Sequence, residues 1–158
     1  MPGDESKRMI TIKVEGLQAL QDDLLQLPEK IGGRTLQSSL SSAALPIVNE
    51  AKDKVPMAHK AYKLYGGGVA DPGWLRSRIV RKRVRHSKSS AEVIVTIKDQ
   101  RQAYFWRFIE FGTSKLVARP FLRPAFEAKS KEALDRFIER LTTAIDKARQ
   151  KLQYKPRA

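Results

Sequence analysis

Apolar and polar positions alternate through Met9-Ile-Thr-Ile-Lys-Val-Glu15, placing Ile10, Ile12 and Val14 on one side, the pattern of a half-buried strand. Gly16 interrupts it. Leu17, Leu20, Leu24 and Leu27 then recur at helical spacing until Pro28. After a break at Gly32-Gly33, a second helix is predicted over 34–55, with the stripe Leu36, Leu40, Ala43, Ala44, Ile47, Ala51 and Val55. Pro46 lies inside that stripe and predicts a kink, and Pro56 closes it. Residues 57–73 predict a mobile loop, because Gly66-Gly-Gly68 has no side chain to pack and Asp71-Pro-Gly73 is a turn signal. Order resumes at Trp74-Leu75. Ile79, Val80 and Val84 mark a strand ending near His86, Ser87-Lys-Ser-Ser90 a turn, and Ala91, Val93, Val95 and Ile97 a returning strand. Tyr104–Phe111 fits a strand or a short helix. From Pro120, the stripe Leu122, Phe126, Leu134, Phe137, Ile138, Leu141, Ile145, Ala148 and Leu152 predicts a helix of about eight turns.

Three or four strands and three helices, two of them long and amphipathic, imply an α+β fold: a small antiparallel β-sheet packed against two or three helices, including a long C-terminal one. The 158 residues suit one domain over 9–152, with a disordered arm at 1–8 and a flexible tail at 153–158. No apolar run approaches the ~20 residues of a membrane helix, and the polar start has no signal-peptide core, so no membrane partner is expected. With no cysteine, disulfides and thiolate metal sites are excluded.

Charge changes the picture most. Thirty-one Lys and Arg against seventeen Asp and Glu give +14, a surface suited to DNA, RNA, an acidic membrane or an acidic protein ring. The densest stretch holds Arg76, Arg78, Arg81, Lys82, Arg83, Arg85 and Lys88 without an acid. In a strand, Arg81, Arg83 and Arg85 share one face at intervals of about 6.5 Å, enough to track phosphates or a row of carboxylates. Three readings stand: a solvated outer face that blunts an edge strand, contact with an acidic protein, or contact with DNA. No aromatic interleaves this stretch and no sequence-reading motif matches it, so sequence-specific recognition is not expected.

Candidate chemistry is sparse. Glu110, set between Ile109 and Phe111, could act as an acid or base if left unpaired; the alternative is that it accepts backbone N–H bonds or pairs with Arg119 or Arg123. Gly112 is expected to supply a torsion closed to other residues, and Thr113 or Ser114 to bond the local turn. His59 and His86 have no ligand spacing, and no Gly-Lys-Ser/Thr follows the triple glycine. No enzyme activity, metal or cofactor is expected. The rings Tyr104, Phe105, Trp106, Phe108, Phe111 and Phe121 should mostly form core, with some free to meet a neighbouring subunit.

Two segments read together carry a resemblance: Ile109-Glu-Phe-Gly-Thr113, and Arg119-Pro-Phe-Leu-Arg-Pro-Ala125 opening the last helix. With Gly16-Leu17, the Ala-rich stretch from Ala43 to Pro56 and Gly73-Trp-Leu-Arg-Ser77, they make residues 9–150 similar to the tail completion, or minor tail component, proteins of tailed double-stranded DNA phages and prophages. The signature residues are Glu110, Phe111, Gly112, Thr113, Arg119, Pro120, Phe121, Arg123 and Pro124. The loop at 57–72 is longer than in that family and the basic strand more basic. The resemblance implies a virion protein of the neck, assembled in the host cytoplasm, that completes the tail and joins it to the DNA-filled head. Its implied partners are copies of itself in a ring of six or twelve, the tail terminator or tube protein, the head-side connector or stopper, and the packaged DNA. The alternative is a nonspecific nucleic-acid-binding protein using residues 76–88.

Overall fold

The computed structural model describes residues 18–27, 29–87 and 90–153. The arm at 1–8, the strand expected at 9–15, Lys88 and the tail beyond Gln153 lie outside them.

Helix α1 (Gln18–Leu25) is followed by α2 (Glu29–Ala43) and α3 (Leu45–Lys54). The single kinked helix expected over 34–55 is thus two helices. Ala44 keeps a helical backbone between them, and Pro46 sits in the first turn of α3, where its missing N–H is not needed. Gly32-Gly33, expected as a break, lies inside α2. A Cβ on Gly32 would stand 3.3 Å from the Leu24 carbonyl oxygen, so the glycine lets α1 and α2 approach closely.

Residues 57–73, expected as a loop, contain a small hairpin of β1 (Tyr62–Lys63) and β2 (Val69–Ala70). Its turn is made by Gly66, Gly67 and Gly68, all at positive φ, and Ala70 is fully buried. A one-turn helix α4 (Trp74–Arg78) leads directly into β3 (Ile79–Ser87), which pairs antiparallel with β4 (Ser90–Ile97). The ambiguous aromatic segment is helical: α5 spans Trp106–Phe111. The last helix, α6 (Leu122–Gln153), has 32 residues, about nine turns.

Among the described residues the strands form two separate two-stranded sheets, β1–β2 and β3–β4. The β3–β4 hairpin packs on α2 and α3, and α6 lies along both helices, so the fold is α+β with the long C-terminal helix as its spine. Two apolar clusters result. The larger joins Val48 and Ala51 of α3, Val55 just after it, Leu75, Ile79, Ile97, Ala103, and Phe121 and Ala125 at the start of α6. The smaller sets Leu27 and the α1 leucines Leu20 and Leu24 against Leu141, Ile145 and Ala148 on the distal part of α6. An Arg149–Asp23 ion pair ties α1 to α6 beside it.

Candidate functional site

The paired signature segments form one structural device. The first N–H groups of any helix have no partner within it. At the start of α6 the Glu110 carboxylate takes three of them: Phe121 N–H and Leu122 N–H donate to Oε2 at 2.8 and 3.0 Å, and Arg123 N–H to Oε1 at 3.0 Å. The next residue, Pro124, has no N–H, and Ala125 N–H begins the helical ladder by donating to Phe121 O at 3.3 Å. Every donor of the first turn is accounted for, and the positive end of the helix faces a carboxylate. Glu110 is buried at 6% exposure, so this is an internal clamp from α5 to α6. Of the two roles weighed for Glu110 besides acid–base work, backbone acceptance prevails. The amides it serves lie eleven to thirteen residues downstream.

The chain between the two helices is fixed as tightly. Gly112 ends α5 at φ 74°, ψ 179°, a conformation almost confined to glycine. A Cβ there would lie 2.9 Å from both Ala118 N and Leu116 O. Thr113 N–H donates to Leu116 O at 2.8 Å, and its Oγ1 accepts from the Lys115 and Leu116 amides. Arg119 acts through its backbone, its N–H donating to Ile109 O at 2.7 Å. Pro120 then leads into Phe121, whose ring is fully buried, whereas Phe111 is 69% exposed. The signature therefore builds the fold at its centre and leaves one ring outside.

The basic stretch divides. Arg76 pairs with Asp53 at 2.9 Å. Arg78 pairs with Asp99 at 3.3 Å, and its guanidinium lies 5.0 Å from the Trp74 ring centroid. Asp99 itself adopts φ 56° in the turn after β4. Arg81 and Arg83 pair in register with Val95 and Val93 and share their face with Ile79 and Ile97, both buried. Arg81 and Arg83 thus stand on the side of the hairpin that packs over the helices, yet both side chains remain exposed. Arg81 reaches the Ser41 carbonyl oxygen of α2. The opposite face carries Val80, Lys82 and Val84 opposite Thr96, Ile94 and Glu92. Lys82 and Arg83 are both exposed, on opposite faces, and make no ion pair with another described residue. The Arg85 side chain and Lys88 lie outside the described residues.

A third feature joins two separate stretches of sequence. Tyr62 and Tyr65 from the small hairpin meet Phe105 and Tyr104, with edge-on ring contacts at 5.6 and 5.9 Å, and Tyr104 contacts Phe108 at 5.9 Å. Tyr62, Tyr65, Tyr104 and Phe105 border a groove of about 610 Å³. Tyr65, Tyr104, Phe108 and Phe111 remain substantially exposed. Sequence reasoning found the downstream rings but not Tyr62 and Tyr65. The signal was present as two tyrosines flanking Lys63-Leu64 before the glycine turn.

Among the described residues, no group of three or more His, Cys, Asp or Glu could hold a metal, and no helix is long and apolar enough to cross a membrane. No curated protein and no solved structure matches the chain significantly. One family model does, described as bacteriophage HK97-gp10, putative tail-component, over residues 18–112. The matched region runs from α1 to the glycine that ends α5 and includes both hairpins. The chain therefore belongs to the HK97-gp10-like family of bacteriophage tail components.

Proposed function

We propose that this protein is a subunit of the phage neck, completing the tail and joining it to the DNA-filled head as part of a ring of six or twelve copies around the DNA channel. Its neighbours in that role are its own copies, the tail terminator or tube protein below, and the head-side connector or stopper above. The observation that carries the reading is how the motifs are used. The residues that could have been chemical, Glu110 foremost, are consumed in holding α5 to α6, while the surface keeps exposed cations and exposed rings. Such a chain offers contacts for assembly. Head-to-tail contacts between identical subunits close rings, and a ring multiplies the charge of +14 around its axis.

A phage carrying a stop codon in this gene should yield lysates with filled heads lying beside separate tails in negative-stain micrographs. Joined, intact particles would remove the neck role. The exposed Lys82 and Arg83 favour one other reading, nonspecific binding of nucleic acid. It requires free DNA to bind the purified protein with an affinity that falls steeply with salt.

A further inference from the structure

The groove between the β1–β2 hairpin and α5 has a composition that no part of the fold explains. Its walls include Tyr62, Leu64, Tyr65, Tyr104 and Phe105, and its floor reaches the buried Leu75. Burial raises the Tyr62 hydroxyl above its ordinary pKa. Beyond the groove, Phe108, Phe111 and the loop residues Leu116 and Val117 are also exposed, the last at 84%. That loop folds back on α5 through the Arg119–Ile109 backbone bond, so groove and rim are held by the Glu110 clamp. Large rings fixed on a rigid element are the residues that anchor protein interfaces.

The charge around this surface is mostly positive: the hairpin side carries Lys60 and Lys63 against Asp71. Residues 100–126 contain Arg101, Arg107, Lys115, Arg119 and Arg123, and their sole acid is Glu110, buried and occupied by backbone amides. Lys63 lines the groove itself. A second copy of this chain brings net positive charge to a positive rim and is disfavoured; a nucleic acid could stack bases on the exposed rings but would leave the apolar depth of the groove at Leu64 and Leu75 unfilled.

We propose that the groove and its aromatic rim are the docking site for an acidic segment of a different protein, one that inserts an aliphatic or aromatic side chain beside Tyr62 and Tyr104 and sets a carboxylate against Lys63. The inference goes beyond the joining role and does not depend on where in the particle the protein sits. Its test therefore uses the purified full chain. Selection from a random dodecapeptide library should enrich sequences combining Asp or Glu with Leu, Ile, Phe or Trp. Their binding should weaken about tenfold or more in Tyr104→Ser/Phe108→Ser, whose side chains are half exposed, and about fivefold in Lys63→Glu. Lys82→Glu/Arg83→Glu, which reverses charge elsewhere, should leave it within about twofold. No enrichment, enrichment without acidic residues, or binding retained in the rim variants overturns the proposal. So would a solution oligomer that dissolves on Tyr104→Ser/Phe108→Ser, since a second copy would then be the occupant. Tighter peptide binding in Ile10→Asp/Ile12→Asp would likewise overturn it by assigning the groove to the chain's own amino-terminal segment.

Discussion

The Glu110 clamp and the β3–β4 hairpin are the two places where charge stands out in this molecule, and they use it in opposite ways. Glu110 is one carboxylate, buried, with three backbone amides at 2.8–3.0 Å. The hairpin and its approach carry seven cations between residues 76 and 88, of which Arg76, Arg78 and Arg81 are held by Asp53, Asp99 and the Ser41 carbonyl, while Lys82 and Arg83 are exposed and have no ion-pair partner among the described residues. A single buried charge is costly unless every bonding site is met, and once met it locks the geometry around it. Exposed charges are cheap, weakly coupled to stability and available to partners. The comparison separates residues that make the fold from residues the fold presents.

That separation can be broken most sharply at the clamp. Glu110→Ala leaves three donors of the α6 first turn without their acceptor in a buried site, and it should cost about 3 kcal/mol in urea denaturation. Glu110→Gln keeps one good acceptor oxygen and should cost about half as much. An alanine variant as stable as the parent would show that the clamp is dispensable. Gly112→Val comes next, at about 2–3 kcal/mol, because it combines a forbidden torsion with a Cβ 2.9 Å from two backbone atoms. An unchanged melting temperature would refute that reading. Least affected should be the hairpin: Lys82→Glu/Arg83→Glu should shift stability by less than about 0.5 kcal/mol in the same denaturation series.

How much of this was legible in the sequence follows from the range of each interaction. The leucine stripe of α1, the returning strands and the long α6 rest on local periodicity and are where the pattern places them. Glu110 is different. A local capping box would leave a Ser/Thr-x-x-Glu trace, but here the capping group sits a dozen residues upstream on another helix, so the sequence shows a lone acid among rings. The inward face of β3 was equally hidden. Ile79 shares its parity with Arg81 and Arg83, and Val80 and Val84 share theirs with Lys82, so both faces read as mixed. Only packing on α2 and α3 decides between them. Gly32-Gly33 and Pro46 misled for a related reason. Each was read as a local breaker, yet the structure uses the glycine for close approach of α1 and the proline in a first turn that needs no donor. The groove required two segments some forty residues apart to be brought together, which no local pattern records.

The division between clamp and hairpin, and with it the joining role, is tested most directly by complementing the stop-codon phage with Lys82→Glu/Arg83→Glu. The prediction is a variant that melts with the parent protein but leaves filled heads and tails unjoined in micrographs, with titre falling accordingly. Normally joined particles at the parental titre would contradict it.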